Sequence, residues 1–296
     1  MSSFRVTERS ISSKVVGGLQ ASLTKLGTYQ EQLSTGKQIT RPSDNPGGTL
    51  SAMQLRTSSR TADQYSRNAD DGIAWLGTID SALSGAMDQV HRARDLVIQG
   101  MSAGASANAD GREAIAVEVD NIRSSLISAA NTKYLDRPVF GGNVAGTSAY
   151  DASGTYIGDD GAVTRTVGDN TKIKVNATGP ESFGSGDTQI FDVLASISDK
   201  LRNDPASLND DLARLDASSS VMQTKLSDVG ARYGRVQSMK QVSEDHNLSL
   251  KTQLSDVEDI DLPKTITDMQ LQQAAYQASL AAAAKVVQPS LVDFLR

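Results

Sequence analysis

The chain has 296 residues, 4% aromatics, no cysteine and a net charge of -6. The acidic balance argues against nucleic-acid backbone binding as the main task, and the lack of cysteine removes disulfides and thiolate chemistry. No run approaches transmembrane length and residues 1–45 hold no secretory hydrophobic segment, so the sequence predicts neither a membrane protein nor a cleaved leader.

The first helical seam consists of Val16, Leu19, Leu23, Leu26, Gln30 and Leu33. It stops at Ser34-Thr35-Gly36-Lys37, where Gly36 suits the residue after a helix and Lys37 the negative helix end. Gly36-Lys37 is not a phosphate loop, because Glu31 stands where the first glycine belongs and Gln38 where Ser or Thr is needed. Arg41-Pro42-Ser43-Asp44-Asn45-Pro46 breaks the chain and starts a new helix. Asp44 or Asn45 can cap it, and Pro46 fits its first turn. A second seam then runs through Leu55, Ser58, Ala62, Tyr65, Ala69, Gly72, Leu76, Ile79, Leu83, Ala86, Val90, Ala93 and Val97, with Trp75 as a core or seam-edge residue. After a turn over 100–108, Ile115, Val119, Ile122 and Leu126 form a third seam, antiparallel to the second if the loop is short.

The character changes at Pro138. Residues 141–186 hold ten of the chain's twenty-four glycines. Short strands are predicted over 155–157, 162–167 and 172–175, with turns at Asp159-Asp160-Gly161 and Gly168-Asp169-Asn170. This insertion is too short for a large core of its own. Helix resumes after Asp187-Thr188 with Ile190, Val193, Leu194, Ile197 and Leu201 on one side. The longest seam follows: Leu208, Leu212, Leu215, Ser219, Met222, Leu226, Val229, Tyr233, Val236, Lys240, Ser243, Asn247, Leu250, Leu254 and Val257. Its 3.5-residue repeat predicts one unbroken helix of roughly 75 Å. The last seam is Ile266, Met269, Gln273, Tyr276, Leu280, Ala283 and Val287.

These elements predict a mainly α protein with a small β-rich insertion, an elongated helical-bundle or coiled-coil rod whose N- and C-terminal helices pair. The segments are a terminal assembly helix over 1–43 with its partner over 261–296, rod halves over 44–137 and 188–260, and the insertion over 138–187. No catalytic, cofactor or metal site is predicted. The two histidines, His91 and His246, stand apart on helix surfaces or seam edges, and 138–187 contains neither His nor Cys. Asp70-Asp71, Asp159-Asp160 and Asp210-Asp211 point in different directions on a helix or cap turns. Asn176-Ala177-Thr178 and Asn247-Leu248-Ser249 fit the glycosylation sequon.

The terminal seams are short and weak, and isolated helices are marginal in water. The ends are therefore expected to be disordered in the free monomer and to fold when neighbouring subunits cover them; the alternative is an intramolecular hairpin of the two ends. Charge favours pairing of the ends, since residues 1–40 carry five Lys/Arg and two Asp/Glu while residues 255–296 carry three and six. Aligning the one glutamine of each seam would set Gln30 against Gln273, Leu26 against Tyr276, Leu23 against Leu280 and Val16 against Val287.

Gln32-Leu33-Ser34-Thr35-Gly36-Lys37-Gln38-Ile39 followed by Pro42-Ser43-Asp44-Asn45-Pro46 resembles the N-terminal motif of the bacterial flagellin superfamily. Val229-Gly230-Ala231-Arg232-Tyr233-Gly234-Arg235 is similar to the family's segment in its long C-terminal helix, and the stretch from Ala278 to Leu295 to its C-terminal end. Thr132 to Arg137 departs from the pattern, where relatives show an Asn/Gly-rich turn. The resemblance implies a non-enzymatic structural subunit of the flagellum. The Pro-Ser-Asp-x-Pro form implies the hook–filament junction, between hook-associated protein 1 and the first flagellin subunits, in a ring of like subunits. It also implies type III export under an uncleaved signal, a cytoplasmic chaperone on the C-terminal segment, and an extracellular destination without membrane or nucleic-acid partners. Flagellin itself is the main alternative; a coiled-coil surface adhesin is a remote one.

Overall fold

The computed structural model describes residues 8–101, 108–144, 146 and 148–287, with the side chains of the outermost helical residues, 8–12 and 285–287, left out of account. The elements in chain order are helices α1 (Glu8–Thr35), α2 (Pro46–Met101) and α3 (Ala109–Ala130), strands β1 (Lys133–Tyr134), β2 (Arg137–Pro138), β3 (Thr164–Gly168) and β4 (Thr171–Lys174), then helices α4 (Gly179–Phe183), α5 (Ile190–Asn203), α6 (Leu208–Glu258) and α7 (Leu262–Val287). They divide into two compact units. One draws on the chain up to Arg60 and from Leu248 onward, the other on Thr61–Asn247.

The second unit contains the main core. The expected seam of α6 is buried or half-buried at every position from Leu208 to Asn247. On α2, the seam from Ala62 to Val97 is likewise covered throughout, whereas Ser58 is exposed. The two helices run antiparallel in one register. Arg94 pairs with Asp216 at 2.7 Å, Asp70 with Lys240 at 2.7 Å, and Asp63 with Asn247, so positions that climb on α2 descend on α6. Polar pairs on the rim thus repeat what the apolar stripe specifies. The third seam, Ile115, Val119, Ile122 and Leu126, is buried, with α3 packed against α5. Arg92 with Glu118 and Asp71 with Tyr134 show α3 and its exit running antiparallel to α2.

The insertion has one two-stranded ladder, β3–β4, rather than three strands. Residues 155–157 contribute only an isolated bridge between Tyr150 and Tyr156. The expected turn at Gly168-Asp169-Asn170 closes the β3–β4 hairpin, which carries a bulge beside Gly168. Its core is shared with the helices. Phe140, Tyr150, Phe183 and Phe191 meet edge-on with ring centroids 4.9–5.9 Å apart. Asn68 of α2 donates to the Thr166 carbonyl at 2.8 Å, and Arg165 pairs with Asp71. Gly72 lies beneath Val175 and Val236, where a Cβ would meet Val175 at 3.2 Å. A glycine seam position in α2 is thus explained by close approach of the insertion.

Asp70 and Asp71 do diverge, one to Lys240 and the other to Arg165. Neither sequon asparagine is available at a surface. Asn176 accepts from the Val163 N–H and donates to the Gly161 carbonyl, and Asn247 is buried against Asp63. Trp75 is buried edge-on to Tyr134, with the Arg137 and Arg165 guanidinium groups 5.6 and 5.8 Å from its ring centroid. The departure at Thr132–Arg137 is a two-residue hairpin turn joining β1 to β2. Leu135 and Asp136 both hold left-handed backbone, φ 46° and 62°.

Candidate assembly site

The first unit is built from the residues on which the sequence places assembly. Helix α1 ends as expected. Gly36 takes φ 71° and its N–H donates to the Gln32 carbonyl at 2.8 Å, which stops the helix. Ser34 and Thr35 are exposed on its last turn, Thr35 returning its hydroxyl to the Glu31 carbonyl. The breaker is held by two caps. Asp44 accepts from the N–H groups of Arg41 (2.8 Å) and Thr40 (3.2 Å), and these bonds hold its carboxyl below the usual range. Asn45 accepts from the Gly48 N–H at 2.9 Å, with Pro46 as the first residue of α2. Pro42 and Ser43 are exposed.

At the base of α1 the chain crosses its own return. Gln38 N–H donates to the Glu258 carbonyl (2.7 Å) and Ile260 N–H to the Gly36 carbonyl (3.1 Å), around a bridge between Lys37 and Asp259. Glu258, only 5% exposed in its side chain, meets Lys37 at 2.8 Å and Arg56 of α2 at 2.7 Å. Burial pushes its carboxyl upward, but the two cations prevail and hold it below the ordinary glutamate value. Beyond this base, α1 and α7 pack together, and the Gln272 amide donates to the Ser22 hydroxyl at 2.8 Å.

That contact corrects the glutamine-aligned register. Setting Leu23 opposite Leu280 would place Ser22 opposite residue 281, whereas Ser22 meets Gln272, an offset of about nine residues. The reason lies at the base: backbone hydrogen bonds tie Gly36 and Gln38, just past the end of α1, to Ile260 and Glu258, just before α7, and one glutamine pair does not outweigh them. The stripe that α1 buries is also shifted. Leu19, Leu26 and Leu33 are half-buried as expected, but their companions are Val15, Ser22 and Tyr29. Val16 and Leu23 are 48% and 55% exposed, and Gln30 is exposed. On α7, Met269, Gln273 and Tyr276 are half-buried and Ala283 is buried, whereas Ile266 and Leu280 are 41% and 51% exposed; Val287 lies outside the described side chains. Each helix therefore has one covered stripe and, at heptad spacing beside it, two open apolar residues, Val16 and Leu23 on α1 and Ile266 and Leu280 on α7. In α6, Gly230 and Ala231 are exposed, and Arg232 pairs with Asp228 and donates to the Asn176 carbonyl.

His91 and His246 are exposed, and among the described residues no group of three or more His, Cys, Asp or Glu side chains could hold a metal ion. Among them, too, no helix is long and apolar enough to cross a membrane.

Residues 8–145 match the bacterial flagellin N-terminal helical region. Flagellar hook-associated protein 3 of Escherichia coli (strain K12) is 24% identical over 291 residues, which cover 90% of this chain and 91% of that one. Over nearly its whole length the chain is similar to flagellar hook-associated protein 3. Flagellin B of Vibrio anguillarum is 32% identical but aligns over only 44% of this chain and 33% of its own. The hook-associated relative thus aligns with about twice as much of this chain as that flagellin does. The flagellar junction protein FlgL from Legionella pneumophila shares the fold, with a TM-score of 0.57 at 15% identity over 70% of this chain and 99% of that one.

Sequence reasoning missed Glu258 and Arg56, which carry no periodic signal because charges are not seam residues. It also missed the Val15, Ser22, Tyr29 stripe. The paired valines at 15 and 16 make either phase readable, and a serine at 22 hides the true one.

Proposed function

We propose that the chain acts as a junction subunit of the flagellum through its terminal hairpin, which is completed only by neighbouring subunits. The observation that carries this is the set of apolar side chains left open at heptad spacing, Val16 and Leu23 on α1 and Ile266 and Leu280 on α7. Apolar side chains repeated along a two-helix hairpin leave it marginal alone, and covering each contributes about 1.5–3 kcal/mol. Folding of the ends is therefore coupled to assembly. The neighbours are like subunits in a ring, hook-associated protein 1 on one side and flagellin on the other. Before assembly the chain passes through the flagellar type III apparatus, its C-terminal segment guarded by a cytoplasmic chaperone, and it acts outside the cell. It catalyses no reaction.

Deleting the gene tests the role. The expected result is flagellin secreted into the medium and bare hooks of normal length. Normal filaments on the mutant's hooks would overturn it, and purified protein that polymerises alone into long filaments would assign the flagellin role instead.

A further inference from the structure

We propose that Glu258, with Lys37 and Arg56, is a register lock for the terminal hairpin. The three groups come from three separate stretches: the end of α6, the segment leaving α1, and the first part of α2. One carboxylate holds both cations, with Nζ of Lys37 at 2.8 Å from Oε2 and the Arg56 guanidinium within 2.7 Å of Oε1 and 2.8 Å of Oε2. Its burial makes the arrangement selective, because a buried charge deprived of partners is costly.

The backbone around it is tied at the same height. Gln38 and Ile260 make their N–H bonds across the crossing on either side of Glu258, and the Gln38 amide donates to the Val257 carbonyl at 2.8 Å. Only one relative height of the two strands satisfies these bonds and both ion pairs together. The hairpin above does not supply such a choice itself. Its stripes offer two phases on α1, one beginning at Val15 and the other at Val16, and apolar heptads slip unless a polar group specifies register. The lock sets the height at the base, and the helices transmit it to Ser22 and Gln272. Which subunits later cover the open apolar residues does not enter into this.

The chain contains no cysteine, so introduced pairs report alone. Full-length protein carrying Ser22→Cys with Gln272→Cys, or Leu23→Cys with Leu280→Cys, is treated with a short bismaleimide. In the parent background the 22/272 pair should cross-link about tenfold faster, the preference that a charge-assisted buried contact of this kind sustains. Glu258→Gln should bring the two rates together, with the helicity of the second unit unchanged. Should that variant abolish both cross-links, Lys37→Gln, which leaves Arg56 on the carboxylate, decides. A reduced preference supports the lock, and the parent preference retained in Lys37→Gln overturns it. The parent preference retained in Glu258→Gln overturns it directly.

Discussion

Leu135 and Asp136 show how a single turn departs from local preference. Both occupy left-handed backbone, where an L side chain costs about 1–2 kcal/mol and Asn-Gly is favoured. Leu135 is 73% exposed, so its apolar side chain offsets little of this by burial. Leu135→Asn with Asp136→Gly should raise the melting temperature by about 2–4 °C per kcal/mol regained; a melt showing no gain would count against strain at this turn. Glu181 is the second residue whose state is set by its neighbours. Burial pushes its carboxyl up, but Lys225 (2.7 Å) and Lys174 (3.1 Å) outweigh this and hold it at about 2. A folded value below the unfolded one contributes stability that is present above about pH 4.5 and lost as pH falls toward 2. The glutamate is partly exposed, so Glu181→Gln should cost only about 1 kcal/mol at pH 7, a gap to the parent that closes below pH 3. A gap that stays constant across thermal melts from pH 7 to 2.5 would refute this assignment.

Among the elements, α2 and α6 were legible because a 3.5-residue repeat sustained over many turns leaves one phase that gathers most apolar positions on one face. Leu83 is fully buried and Val242 is 57% exposed, as that phase requires. Leu83→Ala should therefore cost about 2–5 kcal/mol, whereas Val242→Ala should stay within about 0.5 kcal/mol. Equal losses in chemical denaturation would mean that the seam is misassigned. The short seams of α1 and α7 were legible only in part. Leu19, Leu26 and Leu33 belong to both candidate phases, so the helix was evident while the face it buries was not. The choice is made by non-periodic contacts at the base of the hairpin, through Glu258, Lys37 and Arg56. The β1–β2 turn was hidden for a related reason: Leu-Asp carries none of the glycine or asparagine chemistry that announces left-handed backbone.

At the scale of the whole molecule, the second unit is complete, with a continuous core from Ala69 to Val236. The first unit is not. It covers Leu19, Leu26, Leu33, Met269, Tyr276 and Ala283 in pairing α1 with α7 and leaves Val16, Leu23, Ile266 and Leu280 open. A junction subunit needs that division of labour: a body with a core of its own, and ends whose packing is completed by what they meet. Amide hydrogen exchange over residues 16–33, read on the free chain and on the chain incorporated in purified flagella, tests this most directly. Only weak protection is expected in the free chain, from a hairpin that opens and closes readily, with exchange slower by at least about a hundred-fold after incorporation. Strong protection of those amides in the free, monomeric chain would contradict it.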